Sequence, residues 1–245
     1  MFDEAQSCTI VLLPGMNGTA DLFADFAAVK PSTFQLLTLD YPVDVPLGYD
    51  ELARLVRSRL PQDRPYVLLA ESFSGPIGLM LATEALPGMR GLILCCTFAK
   101  NPLPLLALFK PFVVLLGFAS LPGLLSKLGH RALFGRFASA RTKQALSAAL
   151  LRLTPSVLQA RMRAVLGVDM TALLPQVALP ALYLSAQEDR VVPHSACEHL
   201  CRYLPQMQVA SIAAPHMLLQ TAPAEAWDAT TAFLDALTAS KQDPN

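Results

Sequence analysis

Ser72, Asp189 and His216 stand in that order along the chain, each just beyond the end of an apolar run. Together their side chains can activate a hydroxyl. A serine oxygen is a weak nucleophile until a base takes its proton, and the base needs a carboxylate to hold its tautomer. Ser72 lies in Ala70-Glu71-Ser72-Phe73-Ser74-Gly75, with the apolar run Tyr66 to Ala70 before it and a helical pattern after it. Small residues two positions to either side, Ala70 and Ser74, suit a turn from strand to helix so sharp that larger flanks would crowd the backbone. The same hexapeptide also fits an ordinary serine at a helix N-cap. Of the four histidines, His130 falls in a helical stretch beside Arg131, and His194 and His199 fall on one predicted helix. His216, in Ala214-Pro215-His216-Met217, directly follows a predicted strand. Asp189, in Glu188-Asp189-Arg190-Val191-Val192-Pro193, does likewise, with Glu188 as its neighbouring competitor.

Acyl transfer through a serine also needs two donors for the negative oxygen of the tetrahedral intermediate. The backbone amide of Phe73 is the first candidate. The second is the amide of Met16, in Leu13-Pro14-Gly15-Met16-Asn17-Gly18, where two glycines permit a turn that aims N–H groups inward. A plain turn has the same composition. Other constellations are poorer. Cys197, His199 and Cys201, with His194 near, lack a second pair of metal ligands, and no glycine-rich phosphate loop is present. Neither a metal nor a cofactor is therefore expected. Ser74 should cap or pack, and for Glu71 an influence on the pocket, a buried ion pair or a solvent contact are all open.

The elements that must position these groups alternate between strand and helix. Strands are predicted at Thr9 to Leu13, Phe34 to Leu39, Tyr66 to Ala70, Gly91 to Thr97, Ala181 to Ser185 and Gln208 to Ala213. Helices are predicted at Ala20 to Ala28, Tyr49 to Leu60, Phe73 to Leu86, His194 to Tyr203 and Pro223 to Leu237. This is the pattern of an α/β protein: a mostly parallel, open sheet of about six strands with helices on both faces, whose ligands sit at the carboxyl ends of the strands. From Lys100 the alternation stops. Residues 100–169 read as an inserted helical cap, and residues 1–99 and 170–245 as the core.

In order, these segments resemble the α/β-hydrolases nearly end to end. Leu-Pro-Gly-Met-Asn-Gly is similar to the family's oxyanion loop and Ala-Glu-Ser-Phe-Ser-Gly to its nucleophile elbow. Glu-Asp-Arg-Val-Val-Pro is similar to its acid loop and Pro-His-Met-Leu-Leu-Gln to its histidine loop. The resemblance implies a serine hydrolase with a helical cap after the sixth family strand. Small carboxylesterases, including pimeloyl-carrier-protein methyl esterases, are the most similar subfamily. The sequence departs from the family in two ways: the first family strands are missing, and Ala70 and Ser74 stand where the elbow usually has glycines. A halide-cleaving relative would carry a carboxylate at position 72.

Composition bounds the rest. The chain has 245 residues, 53% of them hydrophobic, and 19 Lys+Arg against 19 Asp+Glu. Such a chain is globular and long enough for a large core. An odd count of five cysteines, three of them in apolar runs, points to a reducing compartment, and residues 1–7 show no secretion signal, so the cytoplasm is expected. The apolar stretch Pro111 to Ser126 is shorter than the roughly 20 residues of a membrane span. With Leu103, Leu105, Leu106, Leu108 and Phe109, it is expected to pack the cap and to line a pocket for a hydrophobic acyl chain.

Zero net charge excludes nucleic acid, but it hides a polarity. Residues 100–168 contain ten basic residues and no acidic one, leaving nine basic against 19 acidic residues elsewhere. Either the basic segment docks on the acidic core, or Arg131, Arg136 and Arg141 meet an anionic partner: an acidic acyl-carrier protein, a CoA thioester or an anionic lipid surface. The function expected is hydrolysis of a carboxylic ester. A thioesterase or acyltransferase is the alternative within the same chemistry, and a ligand-binding protein that keeps the fold alone is the alternative outside it.

Overall fold

The computed structural model describes residues 8–102 and 129–239. Runs rich in Val, Ile and Leu form six strands: β1 (Cys8–Leu13), β2 (Phe34–Thr38), β3 (Tyr66–Glu71), β4 (Met89–Cys95), β5 (Ala181–Ala186) and β6 (Gln208–Ile212). They form one sheet in the order β2-β1-β3-β4-β5-β6, and every adjacent pair is parallel. The side-chain period of two divides the central strands cleanly. Val11, Leu13, Leu68, Ala70, Leu92 and Leu94 enter the core on one face, and Ile10, Leu12, Val67, Leu69, Ile93 and Cys95 enter the core on the other. A strand buried on both faces reads as a continuous apolar run, as these four-letter stretches do.

Helices α1 (Ala24–Ala28), α2 (Tyr49–Arg57) and α3 (Gly75–Thr83) connect the first four strands. In α2, Glu51 caps the first turn by accepting the Gly48 N–H at 2.7 Å, and Tyr49, Leu52, Ala53 and Val56 form its buried face. The predicted helix from Ala20 opens as a 3-10 turn, Ala20–Phe23, before α1, and the one from Phe73 opens as a 3-10 turn at Ser72–Ser74. Ser72 at φ +48° prevents an α-helical start there.

Between β4 and β5 the described residues 129–167 are mostly helical. Residues 129–134 form a helical turn, followed by α4 (Ala140–Leu151) and α5 (Pro155–Gly167). Ser139 caps α4 by accepting the Thr142 N–H at 3.0 Å, and Thr154 with Pro155 starts α5. Lys100 and Asp169 form an isolated antiparallel bridge. Asn101 N–H donates to the Val168 carbonyl at 2.9 Å, so the chain leaves and rejoins the sheet side by side. Leu22, Phe134, Leu146, Ala149 and Met217 make a small apolar cluster that seats this segment on the core. The apolar stretch Pro111 to Ser126, expected to be too short to span, and the acyl-pocket residues from Leu103 onward lie outside the described residues; among the described residues no helix is long and apolar enough to cross a membrane. The chain ends through α6 (His194–Tyr203), the short α7 (Leu218–Thr221) and α8 (Pro223–Ala239).

The strand order reverses between β1 and β3, because β1 leads outward to β2 and the chain then returns to β3 on the other side. The crevice at a topological switch point is where an open α/β sheet accepts ligands. Leu13 and Glu71, the last residues of those two strands, open directly into the two segments singled out for oxyanion loop and elbow.

Candidate active site

Ser72 follows β3 without an intervening residue and takes the left-handed backbone, φ +48°. A non-glycine residue there is strained, and the strain holds its side chain at the tip of the turn. Its Oγ lies 2.9 Å from His216 Nε2. His216 Nδ1 lies 2.8 Å from Asp189 Oδ2. The histidine and aspartate side chains are only 4% and 5% exposed, so water does not compete for their hydrogen bond. The other aspartate oxygen accepts the N–H groups of Val191 and Val192, both at 2.8 Å, which fixes the carboxylate plane. The structure thus brings the three residues expected from the sequence into one hydrogen-bonded line. Glu188 is not part of it; Arg136 occupies its carboxylate at 2.7 Å.

The elbow works without its usual glycines because its neighbours make room. A Cβ on Gly78 of α3 would come within 2.9 Å of Ala70 Cβ, so the space that a glycine at position 70 would give is supplied by Gly78 instead. Ser74 is fully buried, and its hydroxyl donates to the Pro14 carbonyl in the loop after β1. Having spent its proton there, it accepts from the Tyr41 hydroxyl at 2.5 Å. The serine therefore ties elbow to loop, a use that glycine lacks. Thr97 buttresses the other side: its hydroxyl donates to the Ser72 carbonyl, and Tyr183 holds the Thr97 backbone with bonds of 3.1 and 2.8 Å.

Among the described residues Glu71 makes no ion pair, and it does not meet solvent. It is 3% exposed, accepts the Gln220 amide at 2.9 Å and accepts the backbone N–H of Gly15. Burial raises its pKa against the opposing effect of those bonds and of nearby His216. Phe73 is buried, its ring stacked on Tyr49 at 4.9 Å and edge-on to Tyr41 at 6.4 Å. Met16 is half-buried in the loop beside the elbow.

Sequence reasoning missed Arg161. It is 2% exposed and reaches from α5 to the same loop, donating to the Met16 carbonyl at 2.6 Å and to the Pro42 carbonyl at 2.9 Å. One signal was available: Val157, Arg161 and Val165 recur every four residues, so the arginine interrupts the buried face of its helix. The basic segment docks on the core elsewhere too. Arg136 pairs with Glu188, Arg141 with Asp25 at 2.8 Å, and Arg152 with Asp21. Arg136 and Arg141 each hold a carboxylate of the core although their side chains are 72% and 75% exposed, and Arg131 is exposed. Among the described residues no group of three His, Cys, Asp or Glu side chains could hold a metal ion, and the five cysteines are free thiols.

A family model described as the alpha/beta hydrolase family matches residues 10–229. The chain belongs to that family. Its fold is shared by solved structures of low identity. A hydrolase from Oleispira antarctica matches with TM-score 0.80 at 15% identity, over 93% of this chain and 91% of that one. The enol-lactonase from Burkholderia xenovorans LB400 matches with TM-score 0.79 at 16% identity, over 94% and 92%. A thermophilic esterase from Thermogutta terrifontis matches with TM-score 0.80 at 19% identity, over 95% and 91%. No curated protein matches the chain in sequence. None of these singles out the pimeloyl-carrier-protein methyl esterases, so the affiliation stands at the level of the alpha/beta hydrolases.

Proposed function

We propose that this alpha/beta hydrolase cleaves a carboxylic ester of a hydrophobic acyl group through an acyl-enzyme on Ser72. The supporting observation is the line from Ser72 Oγ through His216 to Asp189, at 2.9 and 2.8 Å, on a serine held at positive φ. In this reading His216 Nε2 takes the Ser72 proton as Oγ attacks the carbonyl carbon, and Asp189 steadies the imidazolium. The oxyanion meets the amides of Met16 and Phe73. The C–O bond to the alcohol then breaks as His216 returns the proton to the leaving oxygen. Water, deprotonated by the same nitrogen, attacks the acyl carbon and releases the acid. No step calls for a cofactor.

Residues 100–169 act as the cap in this proposal, and its apolar residues between Leu103 and Phe118 supply the preference for a hydrophobic acyl chain. The engaged Arg136 and Arg141 favour a free ester over a carrier-bound substrate. The test is turnover of p-nitrophenyl esters from acetyl to dodecanoyl by the wild type and by Ser72→Ala, with a fluorophosphonate probe and mass mapping of the labelled residue. Hydrolysis best at medium chains, lost in Ser72→Ala, with label on Ser72, is expected. Undiminished turnover by the variant would sink the mechanism, and a wild type that neither turns over nor labels would favour a non-catalytic binding protein.

A further inference from the structure

We propose that Arg161 is a positioning residue that reaches from α5 to hold the loop 14–18 with the Met16 amide facing the reacting carbonyl. The inference rests on the serine-hydrolase reading above. The seat of the guanidinium is built on every side. Two of its nitrogens are anchored on the Met16 and Pro42 carbonyls. Its carbon lies 5.8 Å from the centre of the Tyr41 ring and 5.9 Å from that of Phe73. Beneath it is Gly18, at φ +74°, where an added Cβ would fall 2.4 Å from one guanidinium nitrogen and 2.6 Å from the other. That glycine is thus demanded twice, by its backbone angle and by the arginine lying on it.

The geometry of the loop explains why such a clamp matters. A peptide unit is planar, so fixing a carbonyl fixes the N–H on the next residue. The Pro14 carbonyl is held by Ser74, and the Gly15 N–H of the same unit is held by Glu71. The Gly15 carbonyl accepts from Gly18 at 3.0 Å, and that unit carries the Met16 N–H. The Met16 carbonyl, in the next unit, is held by Arg161. Three successive units are therefore pinned, and the one bearing the donor is fixed from both sides. Without Arg161 the downstream pin is lost, and the turn closed by the Gly18 bond can rotate.

The arginine also brings a charge. Among the described residues no carboxylate lies within ion-pair distance of Arg161, and burial pulls its pKa down only to about 10, so it stays protonated at neutral pH. A buried cation with no carboxylate is costly to the fold. Ion pairing does not account for its presence, whereas a tetrahedral oxyanion forming between Met16 and Phe73, two of the residues around the guanidinium, would be favoured by its field.

The test compares wild type, Arg161→Met, Arg161→Lys and Gly18→Ala with a p-nitrophenyl ester and an alkyl trifluoromethyl ketone. Ser72 Oγ adds to the ketone carbon, its proton passes to His216, and the resulting hemiketal oxyanion occupies the donor site. Arg161→Met should lower kcat by about 10- to 100-fold with KM within about threefold of wild type. The ketone's inhibition constant should rise in proportion to the fall in kcat/KM. Arg161→Lys, which keeps the charge and part of the donor set, should fall between, and it carries the test if the methionine variant does not fold. Gly18→Ala should reproduce the kcat defect, and combining it with Arg161→Met should add little. Unchanged kcat, a rise in KM alone, or ketone inhibition that does not follow kcat/KM would overturn the assignment. Failure of the hydrolase reading shows separately, as ester turnover that persists in Ser72→Ala.

Discussion

Replacing Asp189 by asparagine should disable the site more thoroughly than its near-isosteric shape suggests. One aspartate oxygen accepts two backbone N–H groups, from Val191 and Val192 at 2.8 Å, and the other faces His216 Nδ1 at 2.8 Å. The asparagine oxygen must stay on the two N–H donors, which turns its NH2 group toward the histidine. His216 must then accept at Nδ1 and carry its proton on Nε2, where it can no longer take one from Ser72. Flipping the amide restores the productive tautomer but sets NH2 against two buried N–H groups. At about 1–3 kcal/mol for each unsatisfied buried donor, the flip costs about 2–6 kcal/mol. With about 1.36 kcal/mol per decade, kcat should fall by about 30- to 3 × 10⁴-fold. The assay is kcat for a p-nitrophenyl ester beside Asp189→Ala, which imposes no tautomer. Asparagine should be no better than alanine. An asparagine variant within about tenfold of wild type, or far better than alanine, would refute the tautomer argument.

Other perturbations follow from features nearby. Burial raises the Glu71 pKa above the roughly 4.3 of an unfolded chain, so folding takes up a proton there, and its stability contribution is lost as pH rises through the raised value. Glu71→Gln does not titrate, so its stability relative to wild type should increase from pH 4 to pH 7 in urea unfolding; a flat difference would contradict this. A Cβ at Gly75 would lie 1.9 Å from Thr97 Oγ1, so Gly75→Ala should cost about 1–3 kcal/mol by overpacking, relieved in part by Thr97→Ala. Additive effects in thermal unfolding would argue against that contact. The Arg136 side chain is 72% exposed although paired with Glu188. Arg136→Ala should therefore cost less than about 1 kcal/mol, and turnover of a carrier-bound acyl ester should change little between about 50 and 500 mM salt. A steep salt dependence would restore the case for an anionic partner.

What could be read from the sequence depended on how local its cause was. The strands were readable because runs such as Ile10 to Leu13 and Tyr66 to Ala70 are buried on both faces and so carry no alternation to misread. Ser72, Asp189 and His216 were readable because each lies within four residues of the carboxyl end of a strand, a local relation. Arg161 was not, because its burial depends on Met16 and Pro42, more than a hundred residues away in the chain. Among ten basic residues of one segment its charge argued for solvent, and only its four-residue spacing from Val157 and Val165 argued otherwise. The substitutions in the elbow became intelligible only in three dimensions, where Gly78 faces Ala70 and Ser74 reaches Pro14.

The bridge between Lys100 and Asp169 has a consequence for how such a protein diversifies. Leu92 pairs with Ala181 and Cys95 with Leu184, and the bridge closes the intervening excursion a few residues beyond, so the sheet registers its strands across a closed loop. Closing a loop costs entropy only as the logarithm of its length, about 0.6 kcal/mol for each doubling. The excursion is thus nearly free to grow, shrink or be exchanged as substrates change, provided that whatever replaces it still sends one guanidinium back to Gly18.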